Sequence, residues 1–361
     1  MIYRKINICF VLPDLNRGGA QRIMSYISQN LDKDRFKCTL LIINSSKETD
    51  FKIKNIEVKY LNKKRLLNAS LSLLLHLKLR DYDIVIGSIG HINKILGIFS
   101  IFFRKTKFIG REASLDTIIQ KYNKPKSSPI NLMFNNYRKK LDGVICQSND
   151  MMDHVIQDYQ LNRENVFIIN NPITIKPPIE LLKRPTHDVK QFITIGRLSQ
   201  EKGHSRILNV LSKLIDINWH YTIIGEGIEN ENIINQIIFL KLESQVTLVP
   251  HLDDVREALQ SSDLFLQGSF VEGFPNALLE SCLLGTPVVA FKAPGGTNEI
   301  INNNINGFIA SNNDEYLNYI RIAIIEKSWN HKAISDSVLE KFNPKSIISK
   351  YENLFIKISN K

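Results

Sequence analysis

The chain has 361 residues, 43% of them hydrophobic and 23% charged, which suits a globular protein with two cores rather than one. Its four cysteines, Cys9, Cys38, Cys146 and Cys282, stand singly, which argues against a zinc site or a disulfide framework, and its longest apolar run, at 95–103, is nine residues, less than half of a membrane span. The net charge of +11 is uneven: residues 1–185 hold 31 Lys and Arg against 16 Asp and Glu, and residues 186–361 hold 16 against 20.

In chain order, "INICFVL", "FKCTLLII", "DIVIGS", "TKFIG", "DGVICQ" and "NVFIIN" read as strands. Segments near 19–30, 66–80, 91–103, 129–140 and 148–157 have helical spacing. The amino-terminal "MIYRKINICFVLPDL" has too short an apolar core for a secretory signal and reads as a buried first strand. Apolar strands alternating with helices predict βαβ units and a parallel sheet covered on both faces. "NNPITIKPPIELLKRPTHDVK" then interrupts the pattern with four prolines and reads as an interdomain linker. After it come the strands "QFITIG", "HYTIIG", "QVTLVP", "DLFLQ" and "TPVVAF", with helices between. The carboxy-terminal "KSIISKYENLFIKISNK" reads as an amphipathic helix. The expected organisation is two doubly wound α/β domains, 1–172 and 191–342. A linker at 173–190 joins them, and a last helix at 343–361 packs back on the first domain.

In such sheets ligands bind beyond the carboxyl ends of the strands, so the loops after strands are the candidate sites. "LPDLNRGGAQR" puts Gly18 and Gly19 between a strand and a helix. Glycine there lets the backbone approach a ligand, with free amides to hold an anion, although a tight turn also needs glycine. "ITIGRLSQEKGHSRIL" puts Arg197 and Lys202 in a strand-to-helix loop, a suitable clamp for a diphosphate. "VEGFPNALLESCLLGTPVVAF" puts Glu272 in a loop and Glu280 on the following helix, among leucines and a cysteine. A carboxylate so surrounded is costly unless it reaches water or a partner. The amides of Gly273, Phe274 and Asn276 lie near that helix start, with Pro275 in its first turn. Together the acids, amides and cations suit a phosphorylated ligand rich in hydroxyls.

"GRLSQEKG", "EGFPNALLE", "GTPVVA" and "PGGTNEIINNNINGFI", in that order and at strand ends, resemble the retaining glycosyltransferases of family 4. Glu, seven residues, then Glu is that family's signature. The resemblance is dense in the second half; in the first it rests on "NRGGAQR" and the βαβ layout. It implies a GT-B fold, two Rossmann-like domains facing a central cleft. It implies that Arg197 and Lys202 bind the donor diphosphate, that Glu280 binds the ribose hydroxyls and that Glu272 is held near the reacting sugar. It further implies that Gly273, Phe274, Pro275 and Asn276 contact donor sugar and phosphate, and that the loop at Gly19, beside Gly18, closes on the β-phosphate. Many members end an amino-domain strand with a histidine facing the transferred sugar. Here "KFIG" is followed by Arg111 and Glu112, and His91 follows another strand. These three are the expected lining of the acceptor or sugar pocket, with a structural role for His91 equally open.

The implied reaction moves a hexose or N-acetylhexosamine from a nucleoside diphosphate sugar, with UDP as the expected nucleotide, to an acceptor hydroxyl with retention. The expected setting is bacterial O-antigen, capsule or other surface polysaccharide synthesis, with a lipid-linked saccharide as acceptor. No metal or cofactor is expected, since two cations neutralise the diphosphate. The basic first half, with the cationic "KKRLLNASLSLLLHLKLR", fits a peripheral protein on the anionic inner face of the cytoplasmic membrane, and a solvated surface equally. A nucleic-acid partner is not expected. Two rivals stand beside this reading. One is another GT-B enzyme, such as a sugar-nucleotide epimerase or phosphorylase, which needs no acceptor. The other is a non-enzymatic basic protein binding membranes or nucleic acid without sugar-nucleotide dependence.

Overall fold

The computed structural model describes residues 4–16, 18–45, 53–64, 66–122, 136–178 and 188–360. The chain divides into two compact units. Unit 1 is built from the described parts of Met1–Asp116, Pro125–Thr174 and Pro344–Lys361, and unit 2 from those of Thr117–Lys124 and Ile175–Asn343.

Unit 1 holds a seven-stranded sheet. In chain order its strands are β1 Ile6–Leu12, β2 Phe36–Ile42, β3 Glu57–Tyr60, β4 Ile84–Gly87, β5 Lys107–Arg111, β6 Gly143–Cys146 and β7 Val166–Ile168. They lie in the order β3-β2-β1-β4-β5-β6-β7, and every pairing is parallel. The central strands are apolar on both faces because helices cover both: Phe10, Leu40 and Ile86 on one face and Val11, Leu41 and Val85 on the other are all fully buried. β3 was not legible from the sequence. Its "EVKY" is half-buried throughout and sits at the sheet edge, where one side is solvated.

The last helix, Pro344–Ser359, belongs to unit 1. Its Ile347, Tyr351, Leu354, Phe355 and Ile358 join the same core as β1 and β2. Phe355 meets Phe10 and Phe36 edge-on, each pair of centroids 6.3 Å apart. The Glu352 carboxylate accepts from the Asp32 amide at 2.8 Å.

Unit 2 holds a six-stranded sheet, also wholly parallel. Its strands are β8 Lys190–Ile195, β9 Trp219–Ile224, β10 Val246–Val249, β11 Leu264–Gln267, β12 Val288–Phe291 and β13 Gly307–Ala310, in the order β10-β9-β8-β11-β12-β13. Trp219, Tyr221, Phe192 and Tyr316 fill the core, and Phe291 stacks on Tyr316 at 4.1 Å. β13 is four residues long, within a stretch quoted in the sequence only as a motif.

Both sheets reverse direction beside their first strand, between β1 and β4 in unit 1 and between β8 and β11 in unit 2. Crossovers leave to opposite sides there, so a crevice opens at the carboxyl ends. The connections that leave β1, β4, β8 and β11, loop or first helical turn, are the ones that carry Gly18 and Gly19, His91, Arg197 and Lys202, and Glu272.

Residues 123–135 and 179–187 lie outside the described residues, and with them most of the helix expected at 129–140 and half of the expected linker. Tyr137–Lys140 is a single 3-10 turn. All four cysteines are free, and burial pushes their thiols up, Cys38 to about 12. No helix among the described residues is long and apolar enough to cross a membrane.

Candidate active site

In unit 2 the chain leaves β8 through Gly196 and Arg197, makes a 3-10 turn at Gln200–Lys202, and enters the helix His204–Leu211 through Gly203. Gly203 has φ +63°, a left-handed conformation that favours glycine. A Cβ there would collide with the Gly268 carbonyl, just past β11. Two glycine backbones thus lie against each other, and the β8 and β11 loops meet.

That approach brings Lys202 to Glu272. The ammonium Nζ donates to both carboxylate oxygens, at 2.7 and 2.8 Å. Glu272 is 7% exposed, and Ser269 Oγ donates to its Oε1 at 2.5 Å. A buried acid is tolerable with a cation and a hydroxyl committed to it. Arg197 is exposed, in the same loop as Lys202. His204 is buried, and its Nε2 donates to the Arg197 carbonyl at 3.1 Å. Burial holds the His204 pKa down, against the pull of that carbonyl, so the ring is neutral.

The segment from Glu272 to Pro275 is buried and clamped by the turn after β12. The Glu272 amide donates to Pro294 O at 3.0 Å, and the Gly296 amide to Gly273 O at 3.1 Å. Gly295, at φ +117°, has no room for a side chain beneath the Glu272 carbonyl. Phe274 packs under this turn and meets Phe342 edge-on at 5.3 Å. Pro275 caps the helix Asn276–Leu283, on which Glu280 sits one turn beyond Asn276, 5% exposed. Gly285, at φ +76°, ends that helix.

Several residues that position this site were not read from the sequence. Arg206 donates to the carbonyls of Gly268 and Ser269. Its guanidinium lies 4.1 Å from the Phe270 ring and 3.9 Å from the Phe291 ring, and burial pushes its pKa down to about 10. Tyr122 stacks on the other partner of that arrangement, Phe270, at 5.0 Å. The available signal for Arg206 was a cation beside the apolar positions Ile207 and Leu208 of a short helix. Nothing local marked Ser269 or Tyr122.

In unit 1, Gly18 precedes the helix Gly19–Asn30, whose first residue is exposed. Asp14 Oδ1 accepts from the Asn16 amide at 3.0 Å and from Gln21 Nε2 at 3.1 Å, which shapes the turn after β1. His91 is exposed in the first turn of the helix Gly90–Phe99. Partial desolvation holds its pKa below the ordinary value, against the pull of Asp14 and Asp116.

Arg111 and Glu112 do not line an open pocket as expected. Arg111 is 1% exposed and donates to Ser88 Oγ at 2.8 Å and Asn171 Oδ1 at 2.6 Å. Glu112 is 2% exposed and accepts from Arg138 Nε at 3.0 Å and Nη2 at 2.8 Å. Arg138 in turn stacks on Tyr159 at 3.9 Å. A charge pair without water is held by its partners; these two tie β5 to its neighbours. His91 is the member of the expected trio that reaches solvent.

Residues 182–336 match the family model described as "Glycosyl transferases group 1", and residues 17–176 match "Glycosyltransferase Family 4". An uncharacterized glycosyltransferase of Haemophilus influenzae is 31% identical over 152 residues, 42% of each chain. N-acetylgalactosamine-N,N'-diacetylbacillosaminyl-diphospho-undecaprenol 4-alpha-N-acetylgalactosaminyltransferase of Campylobacter jejuni is 21% identical over 227 residues, 62% of this chain and 61% of that protein. The chain thus spans less than two thirds of the length of these curated relatives. Among solved structures, Anabaena HepE in complex with UDP-glucose superposes with a TM-score of 0.79 at 19% identity, covering 97% of this chain and 99% of that one. With one glycosyltransferase model matching each half and the fold shared over nearly its full length, the chain belongs to the GT-B glycosyltransferases.

Proposed function

We propose that the protein is a retaining glycosyltransferase that moves a hexose or N-acetylhexosamine from a UDP-sugar to a lipid-linked saccharide, at the cytoplasmic face of the membrane, in surface polysaccharide assembly. The observation that carries this reading is the Lys202–Glu272 pair at the carboxyl ends of β8 and β11. Arg197 precedes Lys202 in the β8 loop, and the helix that carries Glu280 follows Glu272 in the chain. In this reading the donor diphosphate meets Arg197 and Lys202, and Glu280 accepts hydrogen bonds from the ribose. Departure of the nucleotide leaves negative charge on its phosphate. In this reading Arg197 and Lys202 donate to that charge, and such stabilisation is usually the largest catalytic effect.

Glu272 is a poor nucleophile, since Lys202 and Ser269 already occupy its oxygens. It therefore orients the sugar and Lys202 rather than attacking. The departing phosphate oxygen takes the acceptor proton on the same face, which retains configuration. Two relatives point to the substrates. HepE, which shares the fold, is described in complex with UDP-glucose, and the Campylobacter relative is named for an undecaprenol diphosphate acceptor. The test is a panel of nucleotide sugars screened by thermal shift, followed by transfer to a lipid-linked acceptor with the product anomer read by NMR. A UDP-sugar that stabilises the protein and gives a product of the donor's own configuration is expected. Inverted product removes the retaining assignment. Donor turnover to sugar phosphate or to an epimer, with no acceptor, removes the transferase.

A further inference from the structure

The helix Leu66–Lys78 carries leucine on two faces. Ala69, Leu73 and Leu77 are buried and account for its packing in unit 1. Leu67, Leu71, Leu75 and Leu79 repeat at the same four-residue spacing and are 83%, 68%, 51% and 81% exposed. Residues four apart are neighbours along a helix, so these four form a stripe facing water. Scattered exposed leucines are ordinary; a contiguous apolar stripe marks a contact surface.

Two more exposed apolar residues lie near the end of that helix. Lys78 Nζ lies 6.0 Å from the Phe103 ring, which brings the helix end to the turn Ser100–Phe102. In that turn Ile101 and Phe102 are also exposed. Beside Ile101 opens a cavity of about 300 Å³ whose charged lining is Arg104, Lys107, Lys140 and Asp142. Lys107 and Asp142 are 3.5 Å apart, which leaves two cations of that lining without an acid among the four. Lys63, Lys64, Lys78 and Arg80 are exposed at the two ends of the stripe.

Charge decides what covers this face. A second copy of the chain, meeting it face to face, would set like charges against each other. Unit 2 also exposes apolar side chains, Ile234, Ile238 and Phe239 on the helix Asn230–Phe239, but that helix begins beside Glu229 and Glu231. Apolar side chains rimmed by cations match the boundary of a bilayer that carries anionic headgroups.

We infer that this face of unit 1 docks on an anionic lipid bilayer, with Leu67, Leu71, Leu75, Leu79, Ile101 and Phe102 entering the interface and the surrounding cations meeting headgroup phosphates. The inference deepens the lipid-linked acceptor reading by naming where the protein meets the membrane. It stands on surface residues that take no part in the transfer chemistry, so the two can fail separately. UDP affinity and transfer to a detergent-dispersed acceptor need no vesicle, and vesicle binding needs no donor.

The test is flotation of the full chain with vesicles of phosphatidylcholine, alone and mixed with phosphatidylglycerol. It is run at low salt and at about 1 M salt, where the Debye length is about 3 Å. The wild type should float with the mixed vesicles at low salt and sink at high salt. A Leu67→Ser, Leu71→Ser, Leu75→Ser variant should lose roughly tenfold or more in vesicle partitioning. So should a Lys63→Ser, Lys64→Ser, Arg104→Ser variant, which changes exposed side chains only and carries the test if the leucine variant melts early. UDP-induced thermal shifts should match wild type in both. Failure of the wild type to float, or a folded variant of either kind partitioning within about twofold of it, overturns the inference. So does a wild-type dimer, by light scattering, that the leucine substitutions dissociate.

Discussion

Arg197 and Lys202 share a loop but differ in surroundings, and their substitutions should differ too. Arg197→Ala and Lys202→Ala are each expected to lower turnover by roughly 100- to 1000-fold, the usual cost of losing one group that stabilises developing charge. Arg197 is exposed, so its loss should leave the melting temperature unchanged. Lys202→Ala strands the buried Glu272 with Ser269 alone, and should lower it by several degrees. Turnover within threefold of wild type for both, in steady-state assays, would take the diphosphate clamp out of the account. The residue types were legible from the sequence and the pairing was not. Lys202 and Glu272 stand 70 residues apart, on loops brought together by a sheet order that skips from β8 to β11. Local spacing carries no information about which strand ends become neighbours. Arg111 and Glu112 show the converse: charges after a strand read as a pocket, while the fold spends them on Ser88, Asn171 and Arg138.

At the scale of elements, the meeting of the β8 and β11 loops depends on Gly203 and Gly268 having no side chains. Gly203→Ala should cost about 2 kcal/mol or more, from a left-handed φ and a collision with the Gly268 carbonyl. It should raise KM for the donor as well, by moving Lys202 from Glu272; donor kinetics at wild-type values would mean the two loops tolerate separation. Arg206 braces the same junction from the β8 side, reaching across to two carbonyls past β11. Arg206→Lys keeps the charge but cannot hold two carbonyls with one planar fork between two rings. It is expected to lower kcat without altering the pH profile, because it touches no reacting group. The long apolar strands and the strand-end motifs of unit 2 were legible because burial on both faces writes continuous hydrophobic runs. β3 and β13 were not. Each is four residues long at a sheet edge, where a solvated side permits "EVKY" and where "GFIA" is too short for a period to show.

At the scale of the whole molecule, the two units share a parallel architecture and differ in charge, with the basic excess in residues 1–185. The last helix of the chain completes the core of unit 1. Phe355→Ala should therefore destabilise unit 1 by about 3–5 kcal/mol, while the core of unit 2 contains none of its contacts. Denaturant unfolding should show one transition moved to lower denaturant and the UDP-stabilised one in place. Both transitions moving together would mean that the units unfold as one.

The central claim is that the loop after β8 and the helix that follows the β11 loop bind a nucleoside diphosphate through Arg197 and Glu280. Calorimetric titration of UDP into the wild type and into an Arg197→Ala, Glu280→Gln variant tests it most directly. Glu280→Gln turns a charge-assisted bond to ribose into a neutral one, and Arg197→Ala removes a charged donor from the diphosphate. Together these should weaken UDP roughly a hundredfold, at about 1–2 kcal/mol each. Equal UDP affinity in the two proteins, with both folded, would contradict the account.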